Sequence, residues 1–413
     1  SMGGQIMPPV MGAVAFIMAE TINVPYLDIV KAAVIPAILY FATAFWMVHL
    51  EAGRRGLTGL PKEECPNPWT AVRERWYLLL PLIGLVALLF SGYTPLFSGT
   101  VGLGLTVILI FGAAVMTGVK GLALRGLFWV LLGFACAGFL QFGVATFFVI
   151  ALVLIALTYI RRVGGDTRQL AVRALVDGAR HALPVAIACA LVGVIIGTIN
   201  LTGVAAEMGG HIIAIGRDNL LLALFLTMLT CLILGMGIPT IPNYIITSSL
   251  AAPVLLELGV PLIVSHMFVF YFGIMADLTP PVALACFAAA PIAREKALKI
   301  SVQALRVAIA GFIVPYMAVY SPALMLQGGD WGDVAYVVFK AVLAIGMWGA
   351  GAIGFLFAPL NWAERILAIV SASFLVLAMP LTDEIGLGAI ALFLIWHVWR
   401  ARRHRATLVT LRP

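Results

Sequence analysis

The chain has 413 residues, of which 63% are hydrophobic and 10% charged, and its formal net charge is +7. Soluble domains are about 45–50% apolar and roughly 25% charged, so a water-exposed globule is excluded and lipid must solvate most of the surface. The basic residues lie in short loops between apolar runs, not along one polar face, which argues against nucleic acid as a partner.

In chain order, apolar runs of spanning or half-spanning length lie near 3–20, 27–50, 76–91, 99–117, 124–139, 140–160, 183–201, 220–257, 262–293, 303–325, 335–358, 363–380 and 386–400. A full helical span needs about 20 such residues, and the alternation of a membrane β-barrel is missing. The spacing predicts an all-α membrane protein, a multi-span helical bundle. Residues 61–75, PKEECPNPWTAVRER, are proline-broken and charged and read as a loop. Residues 166–181 set Leu170, Val172, Leu175 and Val176 against arginines, which predicts a separate helix lying in the interface.

The loops fall into two charge classes. Arg54 and Arg55, Lys120 and Arg125, the arginines from Arg161 to Arg180, Arg294 to Lys299, and Arg400 to Arg405 form the basic class. Glu20 to Asp28, Gly92 to Gly99, Gln327 to Asp333, and Asp383 with Glu384 form the uncharged or acidic class. The classes alternate if 124–160 crosses twice and 220–257 enters and leaves on one side. The positive-inside rule then places the basic loops and the C-terminus in the cytoplasm, with Arg217 as the exception.

Three breaks interrupt membrane-length runs: Gly3 to Pro9, Gly235 to Asn243, and Asp277 to Pro281. Proline removes a backbone donor and clashes with the preceding turn. Carbonyls freed this way must face protein or a water-filled cavity, where they can coordinate a cation, while half-helix N-termini attract anions. The run 220–257 turns at its glycines and prolines, which predicts a re-entrant hairpin. GQIMPPV at 4–10 parallels ADLTPPV at 276–282, each followed by a small-residue helix and a longer span. This is the internal repeat of a secondary transporter. It divides the chain into 1–50, the remainder of a first repeat; 51–182, connecting spans and interfacial helices; 183–326, the second repeat; and 327–413, extra helices.

The oxygens in broken backbone at membrane depth make Gly235, Gly237, Thr240, Asp277 and Thr279 the candidate cation ligands. Asp277 reads equally as a cation ligand or proton carrier and as a structural cap on the broken helix. Gly4, Gln5, Pro8, Pro9, Pro239, Asn243, Pro280 and Pro281 are candidates for substrate contact and gating. His49, His181, His211 and His266 lie near span ends and read as interfacial, and Lys31 as snorkelling. Four of the five cysteines lie in apolar runs and none form a CxxC pair. Nothing resembles a P-loop, a metal cluster or a nucleophile elbow. The expectation is a carrier, not an enzyme, without a resident cofactor and driven by Na+ or H+; an ion channel or a membrane-embedded lipid-modifying enzyme is the alternative.

The stretch LGMGIPTIPNYIITSSLAAPVLLELGVP, followed by SHMFVFYFGIMADLTPPVALACFAAAPIA, resembles the large membrane subunit of tripartite ATP-independent periplasmic (TRAP) transporters. Within that family it is most similar to the fused permeases of the TAXI subfamily. GGQIMPPVMGAVAFIMAE, VIPAILYFATAFWMVHLEA, ALPVAIACALVGVIIGTINLTG, IVPYMAVYSPALML, NWAERILAI and PLTDEIGLGAIAL extend the likeness over nearly the whole chain. The resemblance implies an inverted-repeat, elevator-type importer of small organic anions in a bacterial or archaeal cytoplasmic membrane, fed by a periplasmic substrate-binding protein. It also implies a first hairpin before GGQIMPP and small-subunit helices, so the chain is expected to be a fragment. Asp277 departs from the small or weakly polar residue that the resemblance leads one to expect.

Overall fold

The computed structural model describes residues 2–8, 11–57, 59–61, 64–65, 67–377 and 380–410. Among these the regular elements are helical, apart from one isolated bridge between Phe355 and Pro359. Six helices are long and apolar enough to cross a bilayer: Tyr26–Arg55, Leu96–Val115, Gly165–Thr202, Ala297–Tyr320, Trp331–Ile353 and Leu381–Ala401. Shorter apolar helices include Leu220–Leu234, Leu262–Met275 and Leu284–Ala293, the pieces of the broken runs. The expected all-α multi-span membrane fold is therefore present.

The chain divides into two compact units, one of residues 1–24, 28–59 and 187–413, the other of residues 25–27 and 60–186. In the second, Val101, Ile108, Phe111 and Val115 of Pro95–Val115 pack with Phe147, Ile150 and Leu154 of Ala145–Ile160. Two expectations fail there. Part of the proline-broken stretch 61–75 is helical, as Pro68–Arg75, because Asn67 caps it through a bond from Trp69 N at 3.0 Å and Pro68 occupies the first turn. Residues 166–181 are not a separate interfacial helix but the first half of the 38-residue helix Gly165–Thr202, which runs on through Pro184. At 1.5 Å per residue that helix is about 57 Å long, well beyond a hydrocarbon core of about 30 Å. Its start is held by Arg168, which stacks 4.1 Å over Tyr159 and donates to Val163 O at 2.9 Å.

In the first unit, Met47 and Leu50 of Tyr26–Arg55 pack with Ala344, Met347 and Ala350 of Trp331–Ile353 and with Leu375 and Phe393 of the two following helices. Trp46 Nε1 fixes the same contact by donating to Gly346 O at 3.2 Å. Asp330 with Asp333, and Asn361 with Glu364, form capping boxes that start Trp331–Ile353 and Trp362–Val376. Glu364 is buried and also accepts from Arg400 at 2.9 Å, with His397 Nδ1 3.4 Å away. The amphipathic helix Val204–Asp218 joins no run read in the sequence, and the span read as 303–325 begins at Ala297. Asp383, read as an acidic loop residue, is buried. His266 is buried too, with Nδ1 2.8 Å from the Tyr244 hydroxyl.

Candidate functional site

Each proline-bearing run breaks where backbone chemistry requires it. Leu262–Met275 ends, a turn covers 276–283, and Leu284–Ala293 resumes. Within the turn the Pro280–Pro281 bond is cis. Ala283 sits in the left-handed region at φ 41°. Outside residues 9 and 10, the N-terminal copy follows the same order: Met2–Ile6 before the prolines and Val14–Thr21 after them, with Met11 at φ 48°. Setting Gln5 on Asp277 pairs Met11 with Ala283, and the hydrogen bonds pair as well. Met7 N donates to Gly3 O at 3.0 Å and Met11 N to Met7 O at 3.1 Å; Thr279 N donates to Met275 O at 3.1 Å and Ala283 N to Thr279 O at 3.2 Å.

The middle run breaks between Leu220–Leu234 and Thr240–Glu257. Gly235 closes the first helix, Gly237 turns the chain at φ 75°, and Pro239 is extended and opens the second. The two helices pack on each other and both pack on Leu262–Met275. The tip and the second broken helix meet through Asn243. Its Nδ2 donates to Gly273 O at 2.7 Å and to Gly235 O at 3.3 Å. Both glycines make room for this amide. A Cβ at Gly235 would lie 2.8 Å from Asn243 Nδ2 and 3.0 Å from Ala276 Cβ, and one at Gly273 would lie 2.8 Å from Asn243 Oδ1. A Cβ at Gly237 would touch Val282 at 3.5 Å.

The hairpin also reaches the N-terminal copy. Thr240 Oγ1 donates to Gln5 Oε1 at 3.3 Å. Leu262–Met275 packs on Met2–Ile6, and Thr240–Glu257 on Val14–Thr21. Two oxygens near the breaks, Asp277 Oδ1 and Asn243 Oδ1, are buried without a hydrogen-bond partner among the described residues. Buried oxygens are nearly always paired, so these two fit a missing cationic or protonated partner. The Thr279 hydroxyl is turned to Met275 O at 2.8 Å, but its lone pairs remain free to accept.

Of the residues picked from the sequence, Gly235, Asn243 and Asp277 are buried around the tip contact, while Thr240, Thr279 and Gln5 are half-buried. Gly4, Gly237, Pro239 and Pro281 are exposed, Pro8 and Pro280 intermediate. Pro9 lies outside the described residues. Gly273 joins the site from thirty residues away in the chain, and Ser301 through a hydroxyl that donates to Leu278 O within the break; neither carries a local signal in the sequence. Among the described residues no group of three or more His, Cys, Asp or Glu could hold a metal. A cation here would be held mainly by backbone and amide oxygens, the hard ligands that suit an alkali ion.

A family model described as "Tripartite ATP-independent periplasmic transporter, DctM component" matches residues 1–119 and 111–329. No curated protein matches the chain. The match takes in both Pro-Pro turns and the hairpin tip, and it leaves out 330–413, where Trp331–Ile353 and the two helices after it lie. The chain belongs to the DctM family, the multi-span membrane component of TRAP-type secondary transporters, which work with a periplasmic binding protein and a small membrane subunit.

Proposed function

We propose that this protein is the permease of an ion-coupled importer of small organic acids, in which Na+ or H+ binds where the hairpin tip meets the second broken helix. The observation that carries the reading is Asp277: a carboxylate at a break between two apolar helices, 9% exposed, with Oδ1 buried and no donor among the described residues. An intramembrane carboxylate is expensive and marks ion or proton pathways. The ligands for Na+ would be Asp277 and Asn243 Oδ1, with carbonyls at Gly235, Gly237 and Thr240 and the Thr279 hydroxyl completing the shell. For H+, Asp277 alone would carry the proton. Gln5, Pro8, Pro9, Pro239, Pro280 and Pro281 would line the path of the organic anion, with Gly4 beside them. A TAXI-type permease moving these segments as an elevator against the remaining helices, with its C-terminus in the cytoplasm, suits the resemblance and the charge pattern.

The test is uptake into proteoliposomes carrying this protein, the small membrane subunit and the binding protein, across a series of sodium concentrations and pH values. Asp277→Asn keeps the shape and one carbonyl oxygen but removes the charge. It should weaken the sodium dependence or shift the pH profile. Wild-type coupling in Asp277→Asn and in Thr279→Val alike would remove both side chains from the site. Uptake that fails to saturate would replace the carrier with a channel.

A further inference from the structure

The helices beyond the family match carry a second polar site. Lys340, in the middle of Trp331–Ile353, is 2% exposed, and Asp383, in the first turn of Pro380–Thr410, is 6% exposed. Lys340 Nζ lies 2.6 Å from Asp383 Oδ2. The Tyr336 hydroxyl donates to the same oxygen at 3.2 Å, and Nζ sits 4.8 Å over the Tyr336 ring. Asp383 Oδ1 is buried and has no hydrogen-bond partner. The pair lines a cavity of about 420 Å³ together with Ser321, Gln327, Gly328, Gly329 and Asp333.

A purely structural ion pair in lipid needs every carboxylate lone pair satisfied, because each unmet one adds to an already large desolvation penalty. Here one carboxylate oxygen has no donor among the described residues, and the ammonium, which carries three donors, spends one on Asp383 while its charge lies over the Tyr336 ring. The cavity is within the size range of small-molecule sites, about 300–1,000 Å³. Its charges are selective. A lone anion entering it meets Asp383 and Asp333; a lone cation meets Lys340. A molecule carrying both charges on neighbouring groups satisfies both sides, because the receiving charges are themselves adjacent.

We propose that this cavity binds a small zwitterion, its ammonium on Asp383 Oδ1 and its carboxylate or phosphate on Lys340, with Ser321 and Gln327 supplying further hydrogen bonds. The site does not depend on the ion-coupling reading, since none of its residues belongs to the broken segments. Two sources share this chemistry: a free amino acid, and the headgroup of an ethanolamine phospholipid.

The test is equilibrium binding to the purified, detergent-solubilised chain. Four probes separate the charges: L-alanine and glycerophosphoethanolamine carry both, propionate only the anion, ethylamine only the cation. The expected result is binding of at least one zwitterion, with propionate and ethylamine at least about tenfold weaker. Alanine binding identifies the free solute as the source; binding of glycerophosphoethanolamine alone identifies the lipid headgroup. Single-charge probes binding as tightly as the zwitterions, or no zwitterion binding at millimolar concentration, overturns the proposal. Asp383→Asn should weaken zwitterion binding about tenfold or more. Because one member of a buried pair left alone can unfold the protein, the double variant Lys340→Met, Asp383→Leu is the second arm, such apolar replacements being often tolerated. If that variant folds and still binds the zwitterion as wild type does, the proposal is wrong.

Discussion

Gly273→Ala is the sharpest test of the contact between the hairpin tip and the second broken helix. In an open helix interior, Gly→Ala gains about 1 kcal/mol from backbone propensity. At Gly273 the new Cβ would stand 2.8 Å from Asn243 Oδ1, closer than settled Cβ atoms come, and 3.4 Å from its Cγ. The amide must move, and moving it strains the bonds from Nδ2 to Gly273 O and Gly235 O. Each bond is worth about 0.5–1.5 kcal/mol net, and overpacking a core typically costs about 1–3 kcal/mol. These terms outweigh the propensity gain by about 1–5 kcal/mol, so the sign reverses. The assay is the apparent unfolding midpoint in detergent at one scan rate, since membrane proteins of this size unfold with kinetic control. Gly388→Ala is the reference: Gly388 lies within a helix, and a Cβ there meets nothing within 4 Å, so its midpoint should hold or rise. Adding Asn243→Ala to Gly273→Ala removes the colliding group, and the two losses should combine to less than their sum. A Gly273→Ala midpoint at or above that of Gly388→Ala would refute the packing argument.

Glu364→Gln should lower the same midpoint by several degrees, because the buried carboxylate that accepts from Arg400 at 2.9 Å and from Asn361 N at 2.6 Å loses its charge; hydrogen bonds to charged groups are worth about 1.5–3 kcal/mol each. Thr240→Val keeps the shape but removes the bond to Gln5 Oε1. It should change stability by no more than about 1.5 kcal/mol while lowering uptake in proteoliposomes, and uptake equal to wild type would show that the link between tip and N-terminal turn is not used. Asn67→Ala should cost about 1 kcal/mol of local helix stability, read as faster tryptic cleavage at the exposed Arg73.

What the sequence reveals here is set by the range of each interaction. The breaks at 276–283 and 235–239 were legible because they follow from covalent facts within a few residues, the missing amide protons of proline and the freedom of glycine. Pro68–Arg75 was legible in principle: Asn67 followed by proline is a cap and first-turn signal, and the surrounding prolines hid it. Gly165–Thr202 was cut in two because its first half is amphipathic and its second apolar, a change of environment along one helix and not a change of helix. Val204–Asp218 carries Glu207, His211, Arg217 and two central glycines on a short segment, so no apolar run announced it. The bridging role of Asn243 and the pairing of Lys340 with Asp383 across 43 residues depend on which helices pack together, and spacing along one chain does not encode that.

The described residues around the two Pro-Pro pairs share backbone features and differ in chemistry, and the difference bears on mechanism. Holding a non-glycine residue in the left-handed region costs about 1–2 kcal/mol. Met11 and Ala283 both do so at corresponding places, with two corresponding hydrogen bonds before them. A strained geometry kept twice belongs to the turn itself, and not to one local packing accident. The side chains then diverge. Gln5 answers the Thr240 hydroxyl with an amide oxygen; at the corresponding place Asp277 offers a carboxyl oxygen, Oδ1, that no donor within the described residues meets. Met7, at 39% exposure, corresponds to Thr279, whose hydroxyl donates to Met275 O at 2.8 Å. So one copy meets its partner within the fold, and the other keeps a buried carboxyl oxygen without a donor among the described residues. A single uncompensated carboxylate in lipid is stable only while a cation or a proton accompanies it. On the proposed ion-coupled reading, that requirement would tie movement of the second turn to binding of one monovalent ion, whereas the first turn could move without any.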